Sequence, residues 1–79
     1  LSARVLTVAL ITNQIRRLRF DAGEMTQKDL AEAVGVTRQT LMAIENGKYF
    51  PSLELAFLIA QHFGKPLDEV FQFTPKEKS

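Results

Sequence analysis

Cysteine is absent from this chain, so no disulfide can staple it and no thiolate can hold a metal ion. Histidine occurs once, at position 62, and one imidazole without cysteines makes no zinc site. No apolar run approaches the ~20 residues of a membrane-spanning helix, so the cytoplasm is the expected location. One-sided charge is also lacking: 10 Lys and Arg stand against 9 Asp and Glu, a formal net charge of +1. Bulk attraction to a polyanion is therefore weak, and any phosphate binding must rest on where single cations sit. Residues 1–50 carry +2 and residues 51–79 carry −1, a small bias toward the first part. No repeat, low-complexity segment or composition break marks a second domain, and 79 residues suit one small domain. No nucleophile–base pair, metal cluster or phosphate-cradling glycine loop stands out, so an enzyme is not expected and no cofactor is implied.

What is present concentrates in Gln27–Asn46, QKDLAEAVGVTRQTLMAIEN. The spacing predicts a helix over Gln27–Val34, a reversal at Gly35, and a second helix over Arg38–Asn46. Glycine suits a reversal that needs positive φ. Thr37 offers a hydroxyl to cap the second helix. Leu30, Ala31, Val34, Val36, Leu41 and Ile44 form the buried side, with Ala31 small enough for two helix backbones to cross closely. Arg38, Gln39, Met42, Ala43 and Asn46 are left facing outward. This is the pattern of a DNA-binding helix-turn-helix.

The flanking segments read as further short helices. Ile11, Ile15, Leu18 and Ala22 share one stripe, which predicts a first helix over Asn13–Ala22 ending at Gly23. Thr26 and Asp29 have capping-box spacing ahead of the second helix. Met25 is read as a core residue. Phe50 precedes Pro51 and is therefore extended. Ser52 caps a fourth helix over Leu53–Phe63, with Leu55 or Ala56, Ile59, Ala60 and Phe63 buried and Gly64 at its end. A fifth helix over Leu67–Phe71 follows Pro66, with Asp68 and Glu69 near its positive dipole end. His62 is a partly exposed helix residue without a catalytic partner. Thr74–Ser79 reads as a frayed polar tail.

The stretch Val36–Phe71, VTRQTLMAIENGKYFPSLELAFLIAQHFGKPLDEVF, resembles the short prokaryotic Cro/C1-type (XRE-like) helix-turn-helix regulators. The similarity covers about Asn13–Phe73. It implies an all-α fold of five helices, lambda-repressor-like, in a domain over residues 12–73. Residues 1–11, LSARVLTVALI, fall outside the family pattern and are either a natural N-terminal extension or a vector-derived remnant. Residues 74–79 are the tail. The resemblance also implies a partly buried ion pair between Arg19 and Glu45, and a phosphate contact for Gln27 at the start of the second helix.

In this docking mode the start of the recognition helix enters the major groove. Arg38 matches guanine O6 and N7, and Gln39 matches adenine N6 and N7. Met42 and Ala43, one turn later, are placed for a thymine methyl group. Thr40, Asn46 and Lys48 are candidates for backbone phosphates, with the helix-start N–H groups beside Gln27. Arg16 and Arg17 lie toward the rim of such a footprint.

The expected function is sequence-specific binding of double-stranded DNA by a repressor. One recognition helix covers too few base pairs for useful specificity, so a homodimer on a palindromic operator is expected, its helices about 34–36 Å apart. Phe71 and Phe73 are surplus to the core and are the expected dimer contacts, with Val5–Ile11 as a second apolar strip. Two alternatives remain open at this point. An antitoxin with this fold would bind a small toxin partner, and an interaction adaptor would no longer read DNA. No membrane partner is expected.

Overall fold

Short side-chain caps set where three of the five helices of this chain begin. The computed structural model describes the backbone of residues 7–77 and the side chains of residues 11–73. In chain order the elements are β1 (Thr7–Asn13), α1 (Ile15–Asp21), α2 (Gln27–Val34), α3 (Arg38–Glu45), α4 (Leu53–Phe63), α5 (Leu67–Val70) and β2 (Phe71–Glu77). The Thr26 hydroxyl accepts from the Asp29 N–H at 3.0 Å, and the Asp29 carboxylate accepts from the Thr26 N–H at 3.5 Å. This capping box satisfies two backbone donors at the α2 start and its approach. Thr37 accepts from the Thr40 N–H at 3.1 Å, and Ser52 from the Leu55 N–H at 3.1 Å. At their other ends, α2 and α4 stop at Gly35 (φ 82°) and Gly64 (φ 67°), both left-handed.

Each helix gives at least one side chain to a single core. Ile15, Leu30, Leu41, Ile44, Ile59 and Val70 are fully buried, so α1 to α5 are all represented. Each such side chain stabilises the fold by roughly 1.5–3 kcal/mol relative to exposure. Leu18, Met25, Val36, Leu55, Phe63, Leu67 and Phe71 pack around them. Ala31 is buried against this cluster, as the helix crossing requires.

The architecture is the expected five-helix bundle with an addition, a two-stranded antiparallel sheet that joins the two ends of the chain. The register runs from Thr7 opposite Glu77 to Asn13 opposite Phe71. This corrects the reading of Thr74–Ser79 as frayed, because Thr74–Glu77 is paired strand. The reason is tertiary. The Gln14 N–H donates to the Val70 carbonyl at 2.9 Å, which brings the start of α1 beside the end of α5. The segments leaving that point run side by side, and each satisfies the other's backbone groups. Of the expected N-terminal strip, Val5 and Leu6 lie outside the described residues, and Ile11 belongs to β1.

Four boundaries also shift. α1 starts at Ile15, not Asn13, because β1 runs through Asn13. Ala22 caps its end and is exposed, so the stripe stops at Leu18. α3 ends at Glu45 with Asn46 as its cap, and Phe71 begins β2 rather than ending α5.

Candidate nucleic-acid interface

Helix α3 is held from below and open above. Leu41 and Ile44 anchor it in the core. Arg38, Gln39 and Asn46 are exposed, Met42 is 36% exposed, and Ala43 is half-buried. Four of the five residues expected on the outward face are thus on it, and Ala43 lies at its edge. The Thr37 hydroxyl caps the helix locally and donates to the Thr40 hydroxyl at 3.0 Å. The side chains of Arg38 and Gln39 form no hydrogen bond among the described residues, so both are free to reach outward.

The angle between α2 and α3 depends on the turn at Gly35. The N–H groups of Gly35 and Val36 both donate to the Ala31 carbonyl at 2.9 Å. The second bond spans five residues and closes over the left-handed Gly35, which ends the helix and turns the chain directly into Thr37.

A polar lock fixes the far end of α3. The Glu45 carboxylate accepts from Arg19 Nε at 2.6 Å and from Arg19 Nη2 at 3.0 Å. Arg19 Nη1 donates to the Met25 carbonyl at 2.8 Å, which ties in the α1–α2 turn. Gln27 Nε2 donates to Glu45 Oε1 at 3.2 Å. The two charged side chains are 15% and 5% exposed, so the pair is largely removed from water and its polar atoms are well matched. Gln27 therefore spends one amide hydrogen inward. Its second amide hydrogen and the N–H groups at the start of α2 remain for an outside anion.

An open groove lies between α1, the α1–α2 turn and the starts of α2 and α3. Arg16, Lys28 and Arg38 line it, with Thr26 and Gln27 between them. Arg16 was expected only at the rim, and Lys28 was not singled out from the sequence. Its signal was its position next to Gln27 in the first turn of α2, where a cation can share a phosphate with the helix-start N–H groups. Thr40 is half-buried, while Asn46 and Lys48 are exposed around the turn that follows α3. Arg17 lies 3.9 Å from Asp21 on the surface of α1.

A second feature lies on the surface built from the terminal sheet and α4. Phe50, Leu53, Phe57 and Phe73 are each more than half exposed. Ile11, Leu67 and Phe71 line the hollows between them. Of the two expected dimer contacts, Phe73 is outward, whereas Phe71 is half-buried and also packs on the core. Phe57 and Leu53 were missed. Their signal was a second apolar stripe on α4, four residues apart and off the core-facing one.

Among known proteins, residues 15–70 match the helix-turn-helix family model. The chain is similar to an uncharacterized HTH-type transcriptional regulator of Methanocaldococcus jannaschii, with 53% identity over 53 residues, 67% of this chain and 80% of the relative. A second such regulator, from Bacillus subtilis, is 48% identical over 59 residues, 75% of this chain and 88% of its own. The cryptic phage CTXphi transcriptional repressor RstR of Vibrio cholerae is 31% identical over 61 residues, which cover 77% of this chain and 54% of that repressor. These names describe regulators, not enzymes. Among the described residues, no helix is long and apolar enough to cross a membrane.

Proposed function

The chain belongs to the helix-turn-helix family of transcriptional regulators, and from that premise we propose that it represses transcription as a homodimer on a palindromic operator. One observation carries the reading. Arg38 and Gln39 stand exposed and uncommitted at the start of a helix whose other end is locked by Arg19 and Glu45. Those two side chains read guanine and adenine edges, with Met42 and Ala43 against a thymine methyl. Gln27, Thr40, Asn46 and Lys48 hold phosphates and set the register. Lys28 and Arg16 extend that contact along the groove beside α2.

The homodimer is supported by the apolar surface of α4 and the terminal sheet. Contiguous exposed apolar patches of this kind mark interaction sites on soluble domains. A second copy related by a two-fold axis would cover Phe57 and Phe73, with the outer edge of Phe71. Repression is supported by the similarity to the Vibrio cholerae relative, which is named a transcriptional repressor. The site of action is the cytoplasm, where duplex DNA is accessible.

The test is a mobility-shift assay on random genomic fragments over a series of salt concentrations. A few fragments should be retained at salt that releases the rest. Uniform release of all fragments would remove sequence-specific binding and favour an adaptor. Co-purification of a small protein that blocks the shift would favour an antitoxin.

A further inference from the structure

The reading of DNA through α3 leaves one polar residue unexplained. Asn13 is the last residue of β1, opposite Phe71 in the sheet. Its carboxamide works in two directions. Oδ1 accepts from the Ile15 N–H at 3.1 Å, at the start of α1. Nδ2 donates to the Ile44 carbonyl at 3.0 Å and reaches the Glu45 carbonyl at 3.5 Å. Those carbonyls lie in the C-terminal turn of α3, where helix acceptors lack intrahelical donors, and the Ile44 carbonyl accepts from the Gly47 N–H at 3.1 Å as well as from Asn13. Both Asn13 contacts are partly buried. Among the described residues, the two bonds from Asn13 Nδ2 to the Ile44 and Glu45 carbonyls are the only hydrogen bonds between the terminal sheet and α3.

We infer that Asn13 is a positioning residue for DNA reading, which fastens the C-terminal end of the recognition helix to the strand carrying the dimer face. The inference rests on the proposed DNA-binding function. Ile11 lies two residues before Asn13 on the same strand and lines the apolar surface. A two-fold operator demands that each reading helix keep one orientation relative to the dimer axis. α3 has eight residues and is about 12 Å long, so a small tilt at its Glu45 end displaces Arg38 and Gln39 at the other. Arg19 and Gln27 tie that end to the bundle, and among the described residues Asn13 alone ties it by hydrogen bonds to the sheet.

A plain helix cap would need only the Oδ1 contact, and this separates the two roles. Asn13→Asp keeps an acceptor for the Ile15 N–H and places negative charge at a helix start, which favours capping. It also turns a carboxylate oxygen toward the Ile44 carbonyl, so the clasp becomes repulsive. Asn13→Ser keeps a capping oxygen and loses the clasp without adding charge.

The experiment measures the affinity of the full chain for a duplex selected by the wild type, and for a random duplex of equal length, over a salt series. Both variants should lose about tenfold of the preference for the selected site, as expected for one lost hydrogen bond. Binding to random duplex and its salt slope should stay as in wild type. Should Asn13→Asp fail to fold, Asn13→Ser decides. Wild-type preference in Asn13→Ser would reduce Asn13 to a helix cap and overturn the inference. A wild type with no preferred site would overturn the DNA-reading function, and this inference with it.

Discussion

Arg19 and Glu45 meet as a two-point fork, Nε on Oε2 at 2.6 Å and Nη2 on Oε1 at 3.0 Å. The pair joins α1 to the last residue of α3, and the Glu45 side chain is 5% exposed. Its net contribution to stability is modest, because both ions lose water on folding. Breaking one side is different, since it leaves a charge without its partner.

Glu45→Ala is therefore expected to cost about 3 kcal/mol, the lower end for a buried pair. Arg19 keeps its bond to the Met25 carbonyl and is still 15% exposed, which softens the loss. Arg19→Met combined with Glu45→Leu should recover much of it. Denaturant melts of the single and double variants check this, and additive losses would exclude coupling.

Arg38→Ala is expected to weaken binding to the preferred site by about 1–3 kcal/mol and to relax the preference at one base position. Lys48→Ala should weaken all sequences alike and lower the salt slope by about 1. Selection from random duplexes with each variant distinguishes the two. The same preferred site for wild type and Arg38→Ala would move base readout elsewhere on α3.

Phe57→Glu and Phe73→Glu are expected to yield monomers with weakened operator binding. Each puts a charge in the middle of the exposed apolar face. Sedimentation of the free proteins and their operator complexes gives the stoichiometry. A wild-type complex with one chain per operator at saturation would end the dimer proposal.

Gly35→Ala is expected to destabilise the fold by about 1–2 kcal/mol. A Cβ there meets nothing within 4 Å, so crowding is not the cause. The cost lies in the backbone, at φ 82°. Gly35→Asn should cost less, since asparagine tolerates the left-handed region better. Thermal melts of both rank the two effects.

Helix limits were legible wherever a local rule sets them. Thr26, Thr37 and Ser52 start helices because their hydroxyls reach an N–H three residues on, and Gly35 and Gly64 stop them because no side chain opposes positive φ. The outward face of α3 followed from the same periodicity. The pairing of Arg19 with Glu45 came from family resemblance, and spacing along the chain contains no trace of it.

Local order along the chain by itself determined the helix-turn-helix, its apolar side and the candidate reading residues, because those depend on neighbours within about one helical turn. Tertiary structure decided the rest. Asn13 and Ile44 are 31 residues apart, and only the folded bundle brings that amide to that carbonyl. Thr7 pairs with Glu77 because the ends of α1 and α5 meet, not because either segment is a strong strand alone. Whether Phe71 or Phe57 faces the core was likewise settled by where α4, α5 and the sheet pack. Apolar pattern tells which side chains leave water, and geometry tells which of them the core has room for.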